Sequence, residues 1–318
     1  MNLTIGHVLR HAPSRGGQGL EAALIDIAQD LLLRELSTSG VMDDLAFKGG
    51  TALRKLYAGP AGRFSTDLDF SVRSTDAQIT DVVELLVEAI SAARIGPFGY
   101  AVSRRRGKPY VVIETDLGSV EPLTCKLDVS PPPWLPAERR PWIPMPIHAQ
   151  YGGSLPELHV VQLEENIAEK IARLNRATPA RDAYDLVWIM RNRPRLGREV
   201  DLDLIRRLAV LKAWVDMNGL ETPTHRWGTA HEPRPFDVET WLRARTPEEF
   251  DDATIGLLAT PPPALDELAQ ALSAEYEFLR KLTPEEEALA ACNGRDRTLL
   301  LRLLASLPRT RLPQGSCW

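Results

Sequence analysis

Cysteine is scarce: Cys125, Cys292 and Cys317 stand far apart in 318 residues. Three scattered thiols make neither a disulfide framework nor a zinc site, which predicts a reduced, cytoplasmic compartment. Long apolar runs are absent. None approaches the roughly 20 residues that span a bilayer, and the N-terminal MNLTIGHVLRHAPSRGG lacks the apolar stretch of a signal peptide. No membrane partner is expected. An excess of positive charge is absent too, since 38 Lys and Arg against 43 Asp and Glu leave a net charge of −5. The chain as a whole is therefore no polycation, and any nucleic-acid site has to be a local patch. Lysine is rare, seven against thirty-one arginines, which singles out each lysine that falls in a motif. What is present is ordinary for a folded chain: 44% hydrophobic and 25% charged residues, enough for one large domain or two smaller ones.

The pattern divides the chain into an α+β N-terminal half, 1–150, and a helical C-terminal half, 151–318. Helical spacing marks 20–36 and 81–94; short apolar or alternating runs mark strands at 45–47, 67–72, 99–103, 109–117 and 123–129. RRRGK joins the third and fourth of these strands as a hairpin. Seven prolines in 131–146 predict a stiff loop, neither helix nor central strand, crossing to the second half. From about residue 155 helices are expected at 161–174, 181–192, 201–216, 237–244, 247–258, 264–281 and 284–307.

Two clusters carry chemistry. In the first, Gly49–Gly50 form a tight strand-to-helix turn, Ser65–Thr66 follow about fifteen residues later, and Asp67 and Asp69 come next. Residues i and i+2 of a strand share a face, so Asp67 and Asp69 present paired carboxylates while Leu68 and Phe70 point to the core. Paired carboxylates repel, and a hard divalent cation relieves that repulsion. A Gly-Gly turn at a helix start leaves backbone N–H groups for a phosphate. Asp128, on LTCKLDV, is a candidate third carboxylate, and Lys126 shares its face. Each feature alone has a plainer reading, a turn or a solvated strand; their conjunction points to nucleotidyl transfer.

FKGGTALRKLY followed by RFSTDLDFSV resembles the first motif of the AbiEii/AbiGii toxin family, MenT-like toxins included, within the DNA polymerase β-like nucleotidyltransferase superfamily. The resemblance implies an N-terminal nucleotidyltransferase domain with a mixed sheet and a helical C-terminal domain contributing to the active-site cleft. It implies NTP as substrate, Mg²⁺ (or Mn²⁺) as cofactor, RNA with the 3′ end of tRNA as acceptor, a block of translation, and an antitoxin encoded alongside. A protein or small-molecule acceptor, or a non-catalytic nucleotide-binding protein, are the alternatives.

The second cluster is VQLEENIAEKIARLNR followed by PARDAYDLVWIM. Ile167, Ile171 and Leu174 form a buried stripe. Lys170 lies at its edge, expected to bury its stem and hold its charged tip in a cleft, so that its removal costs little folding energy. Glu165 and Glu169 read as solvated. Asp182 and Asp185 share a helical face, and Arg181 is placed to pair with Asp185. AEKIARLNR and ARDAYDL resemble later motifs of the same family: a lysine (Lys170), an Asp or Asn five residues on (Asn175), and an Arg-Asp-x-x-Asp-Leu segment. The resemblance implies catalytic roles for Asp67, Asp69, Lys170 and Asp185. It implies metal binding at Asp67, Asp69 and Asp128, and nucleotide binding at Gly49, Gly50, Ser65, Thr66 and Lys170. Arg181 and Asp182 support the site. Finally, 173–207 holds nine arginines against five acids, and RRRGK at 104–108 makes a second basic patch, both suited to a polyanionic acceptor.

Overall fold

The computed structural model describes residues 1–13, 16–74, 76–119, 121–174, 180–218, 264–291 and 297–308. Asn175, Cys292, Cys317 and the helices expected at 237–244 and 247–258 lie outside them. The described residues fall into two compact units: Met1–Pro133 with Ala137–Val161, and Trp134–Pro136 with Gln162 onward.

The first unit is built on an eight-stranded mixed sheet. Its strands are β1 (Leu45–Lys48), β2 (Leu68–Val72), β3 (Arg94–Ile95), β4 (Phe98–Arg105), β5 (Lys108–Thr115), β6 (Leu123–Ser130), β7 (Glu138–Arg140) and β8 (Leu158–Val160), in the order β3-β4-β5-β6-β2-β1-β8-β7. β2 pairs parallel with β6 and β1 parallel with β8; the other pairs are antiparallel. The fold class is as expected, an α+β unit with a mixed sheet and a helical unit after it.

Alternation does what the sequence promises. Leu68, Phe70, Leu127, Cys125 and Val111 are buried on one face, with Phe47 opposite Phe70. Helix α1 (Ile5–His11) precedes the long helix α2 (Gly16–Thr38), which packs against the sheet: Tyr100 donates its hydroxyl to Ala28 O at 2.8 Å. α2 also carries two fully buried acids one turn apart, Asp26 and Asp30. They are matched by α3 (Gly49–Leu53) and the π-helical turn Arg54–Ala58 that extends it. Arg54 Nε and Nη2 donate to Asp26 at 2.9 and 3.1 Å, and Lys55 Nζ donates to Asp26 at 3.0 Å and to Asp30. Tyr151 closes the network by donating to Asp30 Oδ2 at 2.6 Å. Burial raises the carboxyl of Asp26, but the cations of Arg54 and Lys55 and the contact with His11 hold it well below the usual range.

Several boundaries differ from expectation for physical reasons. The helix read at 81–94 spans α4 (Ile79–Ile90), because Ala92 takes a φ of 62° and the chain re-enters the sheet at Arg94. The proline-rich segment is not wholly loop: Glu138–Arg140, free of proline, forms β7 at the edge of the sheet, where missing donors are tolerated. β8 was not expected at all. Three residues carry too little pattern, and they are a strand because β1 offers them a partner: Phe47 registers with Val160 and accepts from Val161 N at 3.0 Å.

In the second unit the described helices are α5 (Leu163–Leu174), α6 (Ala180–Arg191), α7 (Leu202–Asn218), Leu265–Glu275, Pro284–Ala291 and Thr298–Ala305. α5 is buried almost all round. Glu165 is fully buried, which corrects the expectation that it is solvated. It accepts from the backbone N–H groups of Trp134 and Leu135 at 2.7 and 2.8 Å and from Lys212 Nζ at 2.8 Å, so it anchors the proline-rich segment where that segment crosses into this unit. Burial works against the Lys212 ammonium, yet Glu165 and Glu169 hold its pKa above the ordinary value.

Candidate active site

The carboxylates of the first unit are positioned by one end of the sheet. β1 ends at Lys48 and turns through Gly49 into α3. Lys48 registers with Asp69 across β1 and β2, and Asp69 registers with Asp128 across β2 and β6. Register partners share a face, and Asp67 joins them two residues before Asp69. Asp69 and Asp128 thus share one face at one level of the sheet, with Asp67 just before the start of β2. Asp67 and Asp69 are half-buried and Asp128 is exposed. Thr51 of α3 donates its hydroxyl to Asp67 O at 2.5 Å, tying the helix to the start of β2.

Gly49 is required twice over. Its φ is 80°, a left-handed conformation, and any Cβ there would collide with the Asp69 carboxylate. At Gly50 a Cβ would stand 2.5 Å from Arg63 Nη2 and 3.2 Å from Ser65 Oγ. The turn is therefore flanked by a carboxylate on one side and by a guanidinium and a hydroxyl on the other. Ser65 is buried beside Gly50, whereas Thr66 is exposed, so the structure separates two residues that the sequence left equivalent. Arg63 went unread. It is buried, and Nη1 donates to Phe64 O at 3.2 Å. Its only trace in the sequence is a cation two residues before Ser65.

Hard oxygen donors on one face suit Mg²⁺, which takes one or two carboxylates and completes its shell with phosphate oxygens and water. Among the described residues no three acids, histidines or cysteines are gathered closely enough to hold a metal by themselves. Asp67 and Asp69 fit the two-carboxylate arrangement. Asp128 is engaged by Lys126 Nζ at 2.6 Å. Desolvation lowers the Lys126 pKa, but the hydrogen bond and charge of Asp128, with Asp69 and Asp67 behind it, leave it raised.

The second motif has a different character from the one expected. Lys170 is buried, 3% exposed, and its ammonium is taken up by two carboxylates, which corrects the expectation that its removal costs little folding energy. Nζ donates to Asp182 Oδ1 at 2.8 Å and to Asp185 Oδ2 at 3.0 Å. Both aspartates come from α6 and are also buried. Asp185 is thus a partner of Lys170. Arg173 Nη1 reaches Asp182 Oδ2 at 3.2 Å as an ion pair without hydrogen-bond direction. Arg181, at the start of α6, is half-buried. Burial pushes Asp182 up, but Lys170, Arg173 and the hydrogen bond from Lys170 overcome it and hold its pKa at about 2, below the ordinary 3.8.

That depressed value makes an acid-stability prediction. A carboxylate with a lowered folded pKa contributes stability above its unfolded pKa and loses it as pH falls through the folded one. Asp182 is expected to contribute about 2 kcal/mol near neutrality, lost between about pH 4 and pH 2. Chemical denaturation across that window should show the slope, and Asp182→Asn should flatten it. An unchanged slope would mean that Asp182 titrates normally.

Four of the nine arginines of 173–207 pair with acids among the described residues, Arg173 being one. Arg198 Nη2 donates to both oxygens of Glu164 at 2.7 and 2.8 Å, Arg193 lies 3.9 Å from Glu275, and Arg206 pairs with Asp203 and Glu286. Arg191 and Arg195 are exposed. Among the described residues no helix is long and apolar enough to cross a membrane.

A family model described as the nucleotidyl transferase AbiEii toxin, type IV toxin–antitoxin system, matches residues 30–291. No curated protein sequence matches the chain. Among solved structures, the fold is similar to that of MenT4, a nucleotidyltransferase toxin from Mycobacterium tuberculosis. The identity is 36% and the TM-score 0.78 over 96% of this chain and 99% of that one. With the motif-bearing turn and strand in place and the match running through both units, the chain belongs to the AbiEii family of nucleotidyltransferase toxins.

Proposed function

We propose that this enzyme transfers a nucleoside monophosphate from an NTP to RNA, at the 3′ end of tRNA, in a reaction that depends on Mg²⁺ and blocks translation. The observation that carries the reading is the Gly49–Gly50 turn, set between the Asp69 carboxylate and the Arg63 guanidinium with the Ser65 hydroxyl. A triphosphate asks for such a place: backbone donors and a cation for its oxygens, beside carboxylates that hold a divalent ion.

In this reading the Gly49 and Gly50 backbone, Ser65 and Arg63 orient the phosphates. Thr66 is left as an exposed neighbour. Asp67 and Asp69 would hold the cation, with Asp128 at the next strand. Bound there, the ion neutralises phosphate charge and lowers the pKa of the attacking hydroxyl. The acceptor oxygen forms a bond to the α-phosphorus, the bond from that phosphorus to the bridging oxygen breaks, and pyrophosphate leaves. One of the three carboxylates takes the hydroxyl proton. In the second unit, Lys170 is the proposed nucleotide-binding cation and Asp185 its catalytic partner, with Asp182 and Arg181 supporting them. Support for this comes from the motif, VQLEENIAEKIARLNR followed by PARDAYDLVWIM. The family description further supports a cognate antitoxin as partner, and the scarcity of cysteine supports a cytoplasmic setting.

The test is to incubate the protein with total RNA and each α-³²P-labelled NTP in turn, with Mg²⁺. Label in RNA, with one NTP preferred, is expected. Label confined to protein or to a small molecule would overturn the RNA acceptor while leaving transfer intact.

A further inference from the structure

The register of the sheet carries the RRRGK hairpin to the carboxylates. β4 and β5 are joined by a two-residue turn, Arg106–Gly107, with φ of 52° and 79°, the left-handed pair that suits a tight hairpin. Arg105 registers with Lys108 at its tip, and Ser103 with Tyr110. Tyr110 in turn registers with Lys126 on β6. Two residues further along β6 is Asp128, the register partner of Asp69. Carried two residues beyond Tyr110–Lys126, where the β5–β6 pairing ends, the register sets Arg105, Lys108, Asp128 and Asp69 at one level on neighbouring strands. Tyr110 and Lys126 are one step behind.

Alternation puts all six on the same face. Neighbouring strands lie about 4.8 Å apart, so Lys108 is roughly 10 Å and Arg105 roughly 15 Å from Asp69 at the backbone. Arg104, by the same alternation, belongs to the other face, where Glu84 neutralises it. Arg105, Arg106 and Lys108 are exposed, and none forms an ion pair with a described residue. Arg105 lies over the Tyr110 ring, 5.1 Å from its centroid. The acids on this face of β5 and β6 are Asp128 itself and Glu114, the latter near the far end of β5.

We propose that this strip is the binding track for a single-stranded polynucleotide acceptor, delivering its terminal hydroxyl to the carboxylates. The inference rests on the RNA reading above and adds where the RNA lies. The chemistry is complementary at each step. Arg105, Arg106 and Lys108 meet backbone phosphates, which position a strand without reading its sequence. Tyr110, with Arg105 against its ring, offers a face on which a base stacks. Lys126 carries the positive strip up to Asp128, so that a polyanion approaches the acidic centre alongside a cation. The arginines of 191–198 are poorer candidates, because Arg193 and Arg198 are already matched by Glu275 and Glu164.

The experiment compares wild type, Arg105→Glu/Lys108→Glu, Tyr110→Ala and, as a control, Arg191→Glu/Arg195→Glu. Binding of an internally labelled single-stranded RNA is followed by anisotropy from 50 to 200 mM salt, and KM is measured separately for RNA and for NTP. Each lost phosphate contact lowers the salt slope by about 0.7, so the hairpin pair should lower it by about 1.4. Its KM for RNA should rise about ten-fold or more while KM for NTP stays put. Tyr110→Ala should weaken binding by roughly ten-fold with the slope unchanged, since stacking releases no counterions. The control should behave as wild type. Unchanged slope and RNA KM in the hairpin pair, with RNA still labelled by wild type, would overturn the track and leave the acceptor reading standing. Wild type that neither binds nor labels RNA would overturn both. Hairpin variants must first melt as wild type does; if the double charge reversal does not, Arg105→Gln/Lys108→Gln makes the same comparison.

Discussion

Lys170→Ala is expected to destabilise the protein by about 3–5 kcal/mol, seen as a shifted transition in chemical denaturation. The ammonium donates to both Asp182 Oδ1 and Asp185 Oδ2, and all three residues are buried. Without it two buried carboxylates lose the cation they share. A pure activity assay of this variant would therefore misread unfolding as lost chemistry. The discriminating variant is Lys170→Met/Asp182→Asn/Asp185→Asn, which replaces the charges together and should recover much of the stability. If that variant is folded and inactive, the triad serves transfer; if it transfers nucleotide as wild type does, the triad only holds α5 to α6. Lys170→Arg should be intermediate in both respects, since a planar fork does not reproduce two contacts made by a compact ammonium.

Asp69→Asn is expected to reduce transfer on the order of 10³-fold or more, with little change in melting. The reasons are local. Asn keeps the shape that fits against Gly49, so the turn needs no rebuilding, but it removes the charge that a cation requires. Asp69 also stands between Lys48 and Asp128 in the ladder, the central position among the candidate ligands. Asp67→Asn should behave similarly, because the Thr51 contact uses the Asp67 backbone and survives the substitution. A folded Asp69→Asn that labels RNA at near wild-type rate would remove this face of the sheet from the chemistry.

The parts of this site that were legible in the sequence are those written in neighbouring residues. A Gly-Gly turn after a short apolar strand, and Asp67-Leu68-Asp69 alternating into a core, need no distant partner to be recognised. The fold class follows in the same way from periods of two giving way to helical periods. What stayed hidden depends on partners far along the chain. Asp26 and Asp30 look like the polar face of an amphipathic helix until Arg54, Lys55 and Tyr151 are brought against them. Lys170 sits where a helical wheel puts it, beside the Ile167 and Ile171 stripe, but a wheel does not show that α6 covers that edge. Glu165 was misjudged for the same reason. Arg63 escaped because an arginine in a loop has no periodicity to betray its side chain.

The parallel pairing of β1 with β8 has a consequence for synthesis. β1 delivers the chain into the Gly49 turn, yet the strand that covers its second edge is Leu158–Val160. While a ribosome is still making the intervening residues, the nascent protein has β1 and β2 available but one flank of β1 open to water. Tyr151, which satisfies Asp30, is missing over the same interval. An open strand edge invites pairing with other chains, and a buried acid short of one of its donors is costly. The Gly49 turn is thus completed late, only after Val160 has cleared the exit tunnel, and fragments that stop before it should be prone to association instead of being small active enzymes.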